Sequence, residues 1–291
     1  MTMPTTIGFV GLGHMGGAMA ERLIAHGYRV VGTSHSRKTS PGLEWLDTPG
    51  AVVEHADVLL SSIPDDHALH TVATGPDGVL AGLRPGQIWA DMSTVSPQAS
   101  RDLAEQVQSY GAVLLDAPVS GSVPQIHTGT LTIMVGGPQD AYAQVEPILR
   151  ELGTPTHVGD NGHGLALKLA INISLAVQVL ALAEGLLLAD RSGIDRKLAL
   201  QVMTDSPIGS PMLKARAPLV LHLPDEAWFD ISLLHKDLEL ALDTGQRLNI
   251  PLPTADRADE ILAAAHAIGY DHRDIAGLFE VLEHLATHRD G

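Results

Sequence analysis

Residues 6–33 read TIGFVGLGHMGGAMAERLIAHGYRVVGT, and this stretch decides the fold. An apolar run, Thr6–Val10, meets Gly11-Leu12-Gly13-His14-Met15-Gly16; an amphipathic segment from Met15 to His26 stops at Gly27, before a second apolar run, Arg29–Thr33. Strand, glycine loop, helix and strand in that order predict a parallel βαβ unit. Glycines at the first two loop positions permit a tight turn and close backbone approach to a pyrophosphate. The third lets helix and strand pack, and the helix N-terminus adds N–H groups and positive partial charge. Gly11, Leu12, Gly13, His14 and Met15 therefore read as a dinucleotide loop, against the alternative of a purely structural glycine turn.

The alternation continues. Asp57–Ile63, Gln87–Asp91 and Ala112–Asp116 are further β-rich runs with helical patterns between them, and Thr130–Val135, which no full helix precedes, suits an added antiparallel strand. Beyond about residue 160 the β signal vanishes. Helices are predicted over Gly164–Arg191, about 40 Å at 1.5 Å per residue, from Asp195 as N-cap to Asp205, from Ser210 with Pro211 in first position, over Ser232–Leu248 and Thr254–Ile268, and from Asp271 to the end. The expected class is α/β: a doubly wound, Rossmann-type sheet (residues 1–161), then an all-α domain (residues 162–291), joined by a long interdomain helix. A cleft between two such domains is a natural ligand site. No internal repeat or low-complexity tract is present.

The 291 residues carry 18 Lys and Arg against 34 Asp and Glu, a net charge of −16. Scattered cations among nearly twice as many acids argue against nucleic acid and against an anionic membrane surface as partners. Cysteine is absent, which excludes disulfides and thiolate chemistry and suits a reducing cytoplasm. No basic n-region or cleavage site precedes the first strand, so no signal peptide is expected. The longest apolar stretch, Leu165–Ala189, holds Lys168, Asn172, Ser174, Gln178 and Glu184, too many polar groups for a lipid-facing span, and reads as a buried helix.

An NAD site usually carries an acid about 20 residues past the glycine loop. Here none lies between Glu21 and Glu44; the second strand ends in Thr33-Ser34-His35-Ser36-Arg37-Lys38, hydroxyls and cations suited to a 2′-phosphate. NADP(H) is therefore favoured, through Ser34, Arg37 and Lys38, with NAD(H) as the alternative. A solvated basic turn is the bland reading. Farther on, Asp116-Ala117-Pro118-Val119-Ser120-Gly121-Ser122 stands at a strand's carboxyl end, where open α/β sheets bind ligands. Gly162-His163-Gly164 opens the long helix, and Lys168 and Asn172, four residues apart, share a face. Such a lysine either snorkels outward or, desolvated beside a cleft, shuttles a proton.

These pieces together resemble the β-hydroxyacid dehydrogenase family, which includes 3-hydroxyisobutyrate dehydrogenases and belongs to the 6-phosphogluconate dehydrogenase superfamily. The motifs run in order over nearly the whole chain: GLGHMGGAMAERL at 11–23, DMST at 91–94, DAPVSGS at 116–122 with GTLTIMVGG at 129–137, GHGLALKLAIN at 162–172 and HKDLELAL at 235–242. The resemblance implies Lys168 as the catalytic lysine, and Asn172 with Ser120, Gly121 and Ser122 as binders of the substrate's carboxylate and hydroxyl. It implies Phe229 close to the same site, Thr94 near the nicotinamide, Pro64 in a loop along the cofactor, and Lys236 as a cofactor contact. The chain departs from the family at Ser122, where a second glycine is common, at Val123–His127, and at Ser34-His35-Ser36, which leaves Arg37 one residue out of register.

The expected function is hydride transfer between a nicotinamide and a small β-hydroxy acid, or the matching semialdehyde, with Lys168 moving the proton. Imine reduction on the same fold is an alternative that Lys168 disfavours; a non-catalytic dinucleotide-binding protein would need only the cofactor half. The expected partners are a small carboxylate substrate and copies of the same chain in a homodimer or homotetramer. His67 with His70 and His284 with His288 are spaced to touch one ion, but neither pair has an evident third ligand, so no metal is expected.

Overall fold

The computed structural model describes residues 5–37 and 40–287. Nine strands are found among them: β1 (Thr6–Val10), β2 (Arg29–Thr33), β3 (Leu43–Trp45), β4 (Val58–Ser61), β5 (Ile88–Asp91), β6 (Val113–Asp116), β7 (Val119–Ser120), β8 (Leu131–Gly136) and β9 (Gly153–Gly159). They form one sheet in the order β3-β2-β1-β4-β5-β6-β8-β7, with β9 also on β8. From β3 to β6 every pairing is parallel. β8 runs antiparallel to β6 and β7, the added antiparallel strand the sequence suggests, and parallel to β9. The doubly wound sheet is as expected; β3, β7 and β9 are additional. β3 and β7 are only three and two residues long, too short for alternation to show.

The central strands β1, β4, β5 and β6 are buried on both faces because helices cover both. These are α1 (His14–Ala25), α2 (Pro49–Glu54), α3 (Asp66–Thr74), α4 (Val79–Gly82), α5 (Pro97–Ser109), α6 (Val123–Thr128) and α7 (Gln139–Leu152). One core layer joins Phe9, Met19 and Leu23 to Leu115, Ile133 and Leu149; the other joins Val31, Val52, Leu59 and Trp89 to Leu103 and Leu165. Helix starts follow local chemistry: Thr48, Asp65 and Ser96 each accept a backbone N–H three residues on, at 3.1, 2.8 and 3.1 Å. α1 ends at Ala25 with His26 as its C-cap, followed by Gly27 at φ +88°, a conformation that favours glycine.

Past β9 the structure is helical: α8 (His163–Arg191), α9 (Arg196–Asp205), α10 (Pro211–Leu221), α11 (Ile231–Arg247), α12 (Pro253–Ala267), a 3₁₀ turn (Ile275–Gly277) and α13 (Leu278–Thr287). Asp195 and Ser210 cap α9 and α10 as expected. Asp230 caps α11, so that helix begins one residue before the predicted Ser232. The helix predicted from Asp271 begins later. Asp271 and Arg273 lend their carbonyls to Ser232 and Ile231, and Asp274 forms a bridge with Asp230, which holds residues 271–274 out of helical geometry.

Two compact units divide between Lys168 and Leu169. The first turn of α8 belongs to the sheet unit, where Leu165 is fully buried in its core. α8 is the one described helix long and apolar enough to cross a membrane. Here it is a core helix of the second unit: Ala176, Val179 and Leu180 pack with Ile231, Leu238 and Leu262, while Leu182 and Leu186 pack with Leu200, Leu213 and Phe279.

Candidate active site

In the sheet unit the strand order reverses between β1 and β4, and at such a switch point the loops at the strands' carboxyl ends diverge and leave a crevice. Adjacent strands present the predicted cofactor residues along that edge in a fixed order: Ser34 and Arg37 after β2, the glycine loop after β1, Pro64 after β4, and Thr94 after β5. From β2 to β5 is three strand spacings, about 14 Å at 4.8 Å each.

The three loop glycines serve three purposes. Gly11 adopts φ +91°, and a Cβ there would lie 2.2 Å from the Ser62 carbonyl oxygen. At Gly16 a Cβ would lie 1.9 Å from the Gly11 carbonyl oxygen, so only glycine lets α1 pack on β1. At Gly13 it would meet nothing within 4 Å. The middle glycine thus faces open space, a cradle a side chain would fill, beside a helix start with no side-chain cap and no acid in its first turn. Helix-start N–H groups, positive partial charge and an open approach are what a pyrophosphate requires, so the loop fits a dinucleotide. His14 is exposed and Met15 half-buried, whereas Leu12 is 3% exposed and packs in the core, which leaves only its backbone to face a ligand.

Ser34 to Arg37 form a turn, with the Arg37 N–H donating to the Ser34 carbonyl at 3.2 Å and Arg37 at φ +49°. The Arg37 guanidinium lies 4.0 Å from Asp47, both strongly exposed, a pair that solvent makes weak. Lys38 lies outside the described residues.

The edge continues into a row of buried polar groups with no role assigned from sequence, Ser61 within the Asp57–Ile63 run and Asp91 and Asp116 within the quoted motifs. Ser61, Asp91 and Asp116 end β4, β5 and β6 and are register partners. Asp91 Oδ1 accepts the Ser61 hydroxyl at 2.6 Å and the Ser93 hydroxyl at 2.5 Å; Trp89 donates to Ser61 Oγ at 2.7 Å, and the Ile63 N–H to Ser93 Oγ at 2.8 Å. Burial pushes the Asp91 carboxyl up to about 6, against the pull of those hydroxyls and with a smaller push from the Asp116 charge. This network ties Ile63, before Pro64, to Ser93, before Thr94.

Asp116 accepts the N–H of Gly162 at 2.7 Å and of Leu165 at 3.1 Å. Burial raises its pKa while those N–H groups lower it. Lys168, three residues past Leu165 on α8, is 8% exposed. Of the substrate loop, Ser120 ends β7 half-buried, with no side-chain hydrogen bond among the described residues, and Gly121 adopts φ +130°. Ser122 is 7% exposed and engaged: its N–H and hydroxyl donate to Gln125 Oε1 at 2.9 and 3.1 Å, as the N-cap of α6.

In the helical unit Asn172 is 1% exposed and donates to Asp237 Oδ2 at 2.5 Å, while Lys236 Nζ lies 3.0 Å from Asp237 Oδ1. Asp237 is a further buried acid with no role assigned from sequence; its signal is an acid on the apolar face of HKDLELAL. Phe229 is half-buried against the helical core. Its N–H and that of Trp228 donate to Asp274 Oδ2 at 3.2 and 2.9 Å, and Arg216 donates to Asp274 Oδ1 at 2.6 Å. His67 and His70 are exposed on α3; His288, the intended partner of His284, lies outside the described residues. Among the described residues no three His, Asp or Glu side chains cluster to hold a metal.

The chain is similar to known proteins along nearly its whole length. Residues 6–161 match the NAD binding domain of 6-phosphogluconate dehydrogenase, and residues 162–282 the NAD-binding domain of NADP-dependent 3-hydroxyisobutyrate dehydrogenase. The chain is 32% identical to 2-(hydroxymethyl)glutarate dehydrogenase of Eubacterium barkeri, over 96% of this chain and 95% of that one. It is also 32% identical to 2-hydroxy-3-oxopropionate reductase of Escherichia coli, over 97% and 99%. The structure of Mycobacterium tuberculosis 3-hydroxyisobutyrate dehydrogenase with L-serine superposes with a TM-score of 0.84 at 29% identity, covering 96% and 99% of the two chains. An imine reductase from a Pseudomonas species, at 23% identity and a TM-score of 0.62 over 96% and 100%, shares the fold alone. With both family models matched and relatives aligned end to end, the chain belongs to the β-hydroxyacid dehydrogenase family: an NAD(P)-dependent oxidoreductase that acts on the CH–OH group of small hydroxy acids or reduces the matching semialdehydes.

Proposed function

We propose that Lys168 is the proton shuttle of this reaction and that the substrate is a small acid whose carboxylate is held by the Ser120–Gly121 turn and Asn172. The carrying observation is Lys168 itself: a lysine buried to 8% exposure on a helix whose start hangs from the sheet's carboxyl edge, where the cofactor loop opens. When bound, the nicotinamide supplies or takes the hydride. The protein's own task is then one proton. In oxidation neutral Lys168 takes it from the substrate hydroxyl as C–H is lost, and in reduction the ammonium returns it to the carbonyl oxygen.

Gly11 to Met15 would hold the pyrophosphate, Pro64 and Thr94 the nicotinamide side, Ser34, Arg37 and Lys38 the 2′-phosphate, and Lys236 a further cofactor contact. Phe229 would form a wall of the substrate pocket. Ser120, whose hydroxyl has no side-chain hydrogen bond among the described residues, suits substrate better than Ser122, whose hydroxyl is spent on Gln125. Asp237 holds the Asn172 carboxamide in one orientation. We place the functional domain boundary at 161/162. A reducing cytoplasm suits the cysteine-free chain. Homodimer or homotetramer formation rests on exposed apolar side chains of the helical unit, Leu188, Leu198, Val202 and Ile208, and light scattering on the purified protein tests it.

The deciding experiment is a panel of 3-hydroxyisobutyrate, glyoxylate, succinic semialdehyde and 2-hydroxy-3-oxopropionate, with methyl esters and a cyclic imine as controls, each with NADP(H) and NAD(H). Acids should turn over and their esters poorly. A cyclic imine reduced faster than every acid would replace this reading with imine reduction.

A further inference from the structure

An α-helix leaves its first N–H groups without intrahelical partners, and a side chain just before the helix usually accepts one of them. α8 begins after Asp160-Asn161-Gly162, with Gly162 at φ +87°, and the acceptor comes instead from Asp116, 46 residues upstream at the end of β6. One carboxylate oxygen takes the Gly162 N–H at 2.7 Å and lies 3.5 Å from Asn161 Nδ2, and the other takes the Leu165 N–H at 3.1 Å. The space around the carboxylate is built for it. A Cβ at Gly136, across the sheet, would lie 2.7 Å from both oxygens, and one at Gly164 2.8 Å from Oδ2, so two glycines leave room for the contact.

Buried at 1% exposure, with its pKa raised by desolvation, this carboxylate is a costly way to cap a helix. Its backbone also leads, four residues on, into Ser120. The substrate turn by its main chain and the start of α8 by its carboxylate thus hang from the same residue. Lys168 lies three residues past Leu165, a neighbour on the helix surface and less than one turn from the anchored N–H.

We propose that Asp116 is a positioning residue for Lys168: by capping α8 from the sheet it sets that helix's register against the sheet's carboxyl edge, and so the place from which the lysine handles its proton. This rests on the assignment of Lys168 as shuttle. A shift of one residue in register moves a helical side chain by 1.5 Å along the axis and 100° around it, and misplacement of about 1 Å can cost on the order of 100-fold in rate.

The test is a double-mutant cycle of Asp116→Asn and Lys168→Ala, using the fastest semialdehyde of the panel with NADPH, and NADPH binding followed by fluorescence. Asp116→Asn should lower kcat by roughly 10- to 100-fold with the NADPH Kd changed by less than about 2-fold, and should lower it by less than about 3-fold further in the Lys168→Ala background, because its effect passes through the lysine. A purely structural role would lower the melting temperature and leave kcat per folded molecule unchanged, which overturns the proposal. So does an equal fold-loss in both backgrounds. If Lys168→Ala alone turns over like wild type, the shuttle assignment fails first, and that parent variant shows it. Should Asp116→Asn not fold, Asp116→Glu keeps the charge but pushes one methylene against Gly136 and Gly164, and the same cycle is read with it.

Discussion

Asp91→Asn should make the protein more stable at neutral pH and should abolish one component of its acid response. The folded carboxyl titrates near 6 against 3.8 for an unperturbed one. Because the folded state binds this proton more tightly than the unfolded chain, the contribution of Asp91 is fully present below pH 3.8 and is lost as pH rises through 6. The gap of about 2 pKa units corresponds to about 3 kcal/mol of cost for carrying the charge above pH 7. Asparagine keeps the Oδ1 acceptor for the Ser61 and Ser93 hydroxyls and removes the charge. The assay is urea unfolding of both proteins from pH 4 to pH 8, followed at Trp89, which donates to Ser61 in the same network, in a background where Trp45 and Trp228 are phenylalanine. The stability difference should swing by about 2–3 kcal/mol in favour of wild type as pH falls from 8 to 4. Parallel pH curves, differing by a constant, would refute the reasoning and mean that the ionised Asp91 is fully compensated by its hydroxyl donors.

Lys168→Ala should lower turnover by roughly 10²–10⁴ with NADPH affinity little changed; near-wild-type turnover would remove the shuttle role. Arg37→Gln with Lys38→Gln should raise the KM for NADPH and leave that for NADH nearly alone, since only the former carries a 2′-phosphate for these cations; a wild type that already prefers NADH would end this argument. Arg216→Met should cost about 3 kcal/mol in urea unfolding, because Asp274, 1% exposed, would keep three backbone donors but lose its counter-charge. The double variant with Asp274→Asn should cost less. An Arg216→Met protein as stable as wild type would show the ion pair to be replaceable.

How much was legible in the chain can be traced residue by residue. Residues 6–33 determined by themselves the βαβ unit and its loop, because glycine's freedom at positive φ, an apolar run and a 3.6-residue period are local properties. β1 and β2 appear with the bounds read from the sequence, and Asp195 and Ser210 cap the helices they were expected to cap, since a cap acts over three residues. Lys168 and Asn172 share α8, as the helical pattern of residues 164–191 predicts. Which carboxylates would be buried, and against what, was decided only by tertiary structure. Asp116 meets Gly162 and Leu165 from 46 and 49 residues away, Asn172 meets Asp237 across 65, and Arg216 meets Asp274 across 58. The same holds for β9, whose TPTHV pattern carries no strong strand signal and which pairs because β8 offers it an open edge. A local pattern encodes what one segment prefers, whereas the partner of a buried charge depends on which distant segments the assembled sheet and the packed helices bring within hydrogen-bond distance, and that leaves no trace in the neighbouring residues.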